Sequence, residues 1–130
     1  MSRWLIGWLP AVVCAALIFY ASSRSSVPVP LTGGSDKLAH FGAYAVFGFA
    51  LGHARATTGI PVAVAALIGG LYAISDEVHQ SFVPGRSPDF ADWVADAAGI
   101  LFGLFAHHAW RRSRAARSGR RSVAGNISDT

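Results

Sequence analysis

The chain has 130 residues, of which 52% are hydrophobic and 14% charged, with a formal net charge of +4 and a mean hydropathy of +0.40. So few polar groups cannot cover the surface of a water-soluble domain this small, which excludes an ordinary soluble enzyme or binding domain. The single cysteine, Cys14, excludes an internal disulfide and reads as a small packing residue.

The first apolar run, WLIGWLPAVVCAALIFYAS (4–22), follows a basic start and ends in small residues, as a cleaved signal peptide does. It exceeds the roughly 7–15 residues of a signal core and is read as a retained helix. Three further runs follow: LAHFGAYAVFGFALGHA (38–54), IPVAVAALIGGLYAIS (60–75) and WVADAAGILFGLFAHHAW (93–110). With their polar flanks, all approach the ~20 residues needed to cross a ~30 Å hydrocarbon layer. The connection 23–37 is rich in Ser, Pro and Gly and reads as irregular. The expected fold class is therefore all-α: an integral membrane bundle of four transmembrane helices, with residues 1–110 as one domain and 111–130 as a basic, disordered tail.

Orientation follows from Lys and Arg, which collect on the cytoplasmic side. Arg3, Arg55 and the six arginines of RRSRAARSGRRS (111–122) share one side; Arg24, Lys37 and Arg86 share the other. Eight against three places both termini in the cytoplasm. Directly after a membrane helix, the arginine-rich tail reads as a topology anchor on anionic lipid, not as a nucleic-acid site.

Six of the seven acids, Asp36, Asp76, Glu77, Asp89, Asp92 and Asp96, then lie at or near the outer side. Ser87, Pro88 and Asp89 look like a helix start, Ser35 or Asp36 can cap the second helix, and Val83-Pro84-Gly85-Arg86 has the form of a type II turn. Asp76 and Glu77 resist such explanations, because carboxylates are disfavoured at a helix C-terminus. Helical spacing puts Asp36, His40 and Tyr44 on one face, Tyr72, Asp76, His79 and Gln80 on another, and Asp92 and Asp96 on a third. Polar stripes at one depth should face a common interior and not lipid, which makes an outward-facing polar pocket the economical reading. Gly48/Gly52 and Gly99/Gly103 are GxxxG pairs that allow close helix approach. Trp4, Trp8, Trp93 and Trp110 fall near membrane edges and read as interfacial anchors. His53, His107 and His108 read as helix-end residues.

DKLAHFGAYAVFG (36–48) and SDEVHQSFVPGRSPDFADWVADAAG (75–99) together resemble the VanZ-like family of small bacterial membrane proteins. The likeness rests on Asp36, Lys37, His40, Phe41 and Tyr44, then Glu77 and Gln80, the turn Pro84-Gly85-Arg86, and Asp92 with Gly99. It covers roughly residues 36–103. Many members have Asn where this chain has Asp96, so a role resting on that amide does not carry over. The resemblance implies a bacterial inner (cytoplasmic) membrane protein and a link to glycopeptide (teicoplanin-type) resistance or envelope stress. It supplies no reaction.

Three functional readings stay open. The pocket (Asp36, Lys37, His40, Tyr44, Asp76, Glu77, Gln80, Arg86, Asp92 and Asp96) binds an envelope lipid, a cell-wall intermediate or a lipoglycopeptide, with Arg86 gripping an anionic group. Alternatively, the same groups act in a membrane enzyme, with Glu77 or His40 as base. Or they form an ion-pair lock between helix ends. A transport path is disfavoured, because no polar ladder crosses the middle of the helices. Carboxylates beside histidine suit a divalent cation, yet no compact metal motif is present and no cofactor is expected from sequence. The bilayer is the one partner expected on every reading.

Overall fold

A computed structural model describes residues 2–25 and 34–128. Its order is α1 (Arg3–Ser22), α2 (Ser35–Thr58), α3 (Val62–Gln80) and α4 (Phe90–Ser128). Most of the Ser/Pro/Gly-rich connection between α1 and α2 lies outside the described residues.

Local chemistry sets the ends of these helices. Ser2 caps α1, its Oγ accepting from Leu5 N at 3.4 Å. α2 is bounded by Gly34 and Gly59, both at positive φ, where only glycine is unstrained; neither Ser35 nor Asp36 holds the N-cap position. After α3, Arg86 N donates to Val83 O at 3.1 Å and Gly85 sits at φ 80°, the type II turn anticipated from the sequence. Within the helix start anticipated at Ser87, Pro88 and Asp89, the capping side chain is Asp89, whose Oδ1 accepts from Ala91 N at 2.9 Å.

α1, α3 and α4 are long and apolar enough to cross a membrane. The sequence reading assigns that role to all four helices. α2, with 24 residues, has the length but carries Asp36, Lys37, His40, His53 and Arg55, which lower its hydropathy. It packs against all three other helices, so much of its surface is covered by protein and not lipid.

The tightest seam runs between α2 and α4. A Cβ on Gly48 would strike Ile100 O, one on Gly99 would strike Phe41 O, and one on Gly103 would strike Ala45 O. These are backbone atoms that cannot step aside, so both GxxxG pairs serve the close approach for which small residues are used in membranes. Around the seam pack Tyr44, Phe47, Leu51, Ile100 and Leu104, with Ala65 and Ala73 from α3. Leu5, Leu17, Leu71, Leu101 and Phe105 point outward and are more than half exposed, as lipid-facing residues are.

α4 does not stop at Trp110. It continues as helix to Ser128, through the segment that sequence reasoning leaves disordered. At ~1.5 Å per residue its 39 residues span ~58 Å, about twice a hydrocarbon layer. The loops and helix ends at the two poles of the bundle differ in kind. At one pole Gly7 meets Thr57 and Thr58, and His107, buried, packs beneath Gly52. The other pole gathers the acids.

Candidate functional site

The acidic pole is assembled by the first turns of α2 and α4 and the last turn of α3. At its rim, Lys37 Nζ reaches Asp92 Oδ1 at 2.9 Å, Asp89 Oδ2 at 3.0 Å and Asp36 Oδ2 at 3.7 Å. One ammonium thereby joins the start of α2 to the start of α4. Asp89, outside the helices, has its carboxyl held below the ordinary aspartate range, first by the Ala91 N–H and then by Lys37.

One turn deeper the character changes. His40 Nδ1 lies 2.9 Å from Asp96 Oδ1, and its Nε2 lies 3.8 Å from Asp92 Oδ2. Tyr44 Oη donates to Asp76 Oδ2 at 3.1 Å, and Gln80 Nε2 donates to the same oxygen at 3.2 Å. Asp89 N donates to Glu77 Oε2 at 3.2 Å, tying the end of α3 to the α4 cap. Asp96 is fully buried, and Asp76, Glu77, Tyr44 and Gln80 are nearly so. Yet Asp76 Oδ1, Glu77 Oε1 and Asp96 Oδ2 are buried with no hydrogen-bond partner among the described residues. Each of these carboxylates has one oxygen held and one bare. His40, Glu77 and Asp96 offer one ligand atom each within 4.8 Å of one another.

Nine of the ten residues singled out from sequence therefore meet at this pole. Arg86 does not join the acids: its Nε donates to Arg24 O at 3.4 Å, toward the end of α1. His79, placed by spacing on the Asp76 face, turns the other way. It shares a 2.9 Å hydrogen bond with Ser23 Oγ and stacks on Phe19 at 4.5 Å. Tyr72 also leaves the group, donating to Ala15 O on α1 at 2.6 Å. Ser75 and Ser81 spend their hydroxyls on the carbonyls of Tyr72 and Val78.

Beside the cluster, α3, the connecting segment and the start of α4 border an open apolar groove of ≈ 530 Å³. Ile74, Val78, Pro88 and Phe90 line it, with Glu77 and Asp89 toward the cluster and Trp93 as a further wall. Trp93 is more than an interfacial anchor. It packs on the core, and its indole Nε1 is buried without a partner among the described residues. Its place three residues before Asp96 is the sequence signal that it faces inward.

The model of the family described as VanZ/LLP1 matches residues 7–111, which include every residue of this pole. Neither a curated protein nor a solved structure matches the chain.

Proposed function

The chain belongs to the VanZ/LLP1 family, and from that premise we propose that it is a multi-pass bacterial inner-membrane protein that binds an amphiphilic envelope component. Its hydrocarbon chain lies in the groove between α3 and α4, and its headgroup meets the polar pole. Both termini are cytoplasmic on this reading, because eight of the eleven basic residues of the sequence belong to the opposite pole and the segment that follows it. The groove then opens on the extracytoplasmic side.

The observation that carries the reading is the pair of orphaned groups at the groove wall. Glu77 Oε1 is a buried acceptor lacking a donor, and Trp93 Nε1 is a buried donor lacking an acceptor. Leaving either unpaired costs about 1–3 kcal/mol; both atoms are sealed from the empty groove, so an occupant reaches them only after a side-chain shift and must then both donate and accept. A hydroxyl does both. A hydroxyl-rich headgroup on a hydrocarbon chain, as in a glycolipid or a lipid-linked cell-wall intermediate, satisfies the wall and fills the apolar space. The volume lies within the roughly 300–1,000 Å³ of ligand pockets.

A phosphate-first mode of recognition is less well served. Lys37 is already engaged by three aspartates, and Arg86 points away from the acids.

Native mass spectrometry of the full chain, extracted from bacterial membranes in mild detergent, tests the reading. Wild type should retain about one amphiphile per chain. Val78→Trp fills the groove from a side chain that is 55% exposed, so it should fold and lose the adduct. A wild type that carries no adduct, or a Val78→Trp protein that retains it equally, contradicts the proposal.

A further inference from the structure

We propose that His40, Glu77 and Asp96 form a binding site for one first-row divalent cation, of the Mn²⁺ or Zn²⁺ type. The site shares Glu77 with the groove wall, and metal content reports on it whatever the groove holds.

Three observations converge on it. The ligand set is an imidazole and two carboxylates, one each from α2, α3 and α4, with their ligand atoms within 4.8 Å of one another. Metal–ligand bonds of ~2.0–2.2 Å put tetrahedral ligands ~3.3–3.6 Å apart, so side chains separated by the full 4.8 Å would close by about 1 Å around an ion. Second, Glu77 Oε1 and Asp96 Oδ2 are bare oxygens on side chains that are at least nine-tenths buried. A carboxylate removed from water must find a cation or donors or else take up a proton, and the protein supplies donors to only one oxygen of each. Third, beyond the imidazole of His40 itself, which pairs with Asp96 Oδ1 at 2.9 Å, the cations among the described residues lie elsewhere. Lys37 sits at the rim on Asp36, Asp89 and Asp92, and Arg86 lies on the α1 side.

The surroundings fit a metal as well. Glu77 is oriented through its other oxygen by Asp89 N, and Asp76, fixed by Tyr44 and Gln80, adds a further buried carboxylate. Outer contacts of this kind orient ligands and tune their basicity. Carboxylate oxygens with one imidazole suit Mn²⁺ or Zn²⁺ better than Ca²⁺, which takes six to eight oxygens, or Mg²⁺, which keeps its water. No sequence motif announces such a site because the three ligands come from three helices, separated by 36 and 18 intervening residues.

The test uses the untagged full chain in detergent, stripped with chelator and reloaded with Mn²⁺, Zn²⁺ or Mg²⁺. The expected result is about one Mn²⁺ or Zn²⁺ per chain after desalting, with Mg²⁺ retained far less. Asp96→Asn and His40→Gln should each weaken Mn²⁺ binding by at least about tenfold, whereas Asp36→Asn at the rim should not. Pulsed EPR of Mn²⁺-loaded wild type should show modulation from an imidazole nitrogen, a readout that needs no variant to fold. Folded wild type that retains neither Mn²⁺ nor Zn²⁺, or bound Mn²⁺ without nitrogen modulation, overturns the proposal. So does Asp96→Asn binding Mn²⁺ as tightly as wild type.

Discussion

The rim of the polar pole and its interior are built from the same residue types, one helical turn apart, and they are balanced in opposite ways. At the rim, Asp36, Asp89 and Asp92 surround a shared Lys37, and the Lys37, Asp36 and Asp89 side chains are all at least 39% exposed. In the interior, Asp76, Glu77 and Asp96 are at most 9% exposed, and each keeps an oxygen that nothing in the described chain satisfies. Exposed charges can leave an imbalance to water; buried ones cannot. The rim therefore reads as a clamp between α2 and α4, and the interior as a place prepared for something the chain does not supply. A lock needs every buried group paired, and the interior leaves three carboxylate oxygens bare.

The most drastic way to break the comparison is to remove the seam on which both regions hang. Gly103→Leu forces a side chain against Ala45 O and Phe49 N. Overpacking against side chains costs about 1–3 kcal/mol, and unyielding backbone raises this above about 3 kcal/mol. Size-exclusion profiles should show the folded species lost, with rim and interior failing together.

A smaller change separates the regions. Tyr44→Phe removes one of two donors to Asp76 Oδ2 without leaving a void. It should cost about 1–2 kcal/mol in a reversible denaturant titration, and the cost should be insensitive to salt because the site is buried.

The rim should answer more weakly and in a salt-dependent way. Asp89→Asn keeps a capping side chain but loses the ion pair to Lys37. A slightly lower melting temperature is expected at low ionic strength, and it should vanish at high salt. Because the Asp89 carboxyl is held below its ordinary range, its contribution is complete above the unfolded value of about 3.9. It is lost as pH falls through the lower native value, so wild type and variant should converge only once the pH is below that value. A gap that widens on acidification would contradict the clamp.

Much of this pole is legible in the sequence because it follows helical spacing. Asp36, His40 and Tyr44 recur at i+4, the acids at a helix C-terminus signal a special environment, and Gly85 and the glycine pairs declare a turn and a seam. What spacing cannot give is the rotation of one helix against another. It put His79 and Tyr72 on the Asp76 face, but the packing of α1 drew both away, onto Ser23, Phe19 and Ala15. Arg86 follows the turn, and the turn faces α1. His40, Glu77 and Asp96 stand among the ten pocket residues read from sequence, but spacing could not single out these three as neighbours, because no single element contains them. The extension of α4 was hidden by composition, since arginine and alanine form helix as readily as they form a charged tail.

The claim that the interior is a site and not a lock is tested most directly by the unfolding free energy of Asp96→Asn, measured in chelator and again with Mn²⁺. The amide keeps an acceptor for His40 and removes a buried charge. The account predicts a variant at least as stable as wild type in chelator, by on the order of 1 kcal/mol, and one that fails to gain when Mn²⁺ stabilises wild type. A loss of about 3–5 kcal/mol in chelator, the cost of breaking a buried ion pair, would contradict it and make the interior a lock.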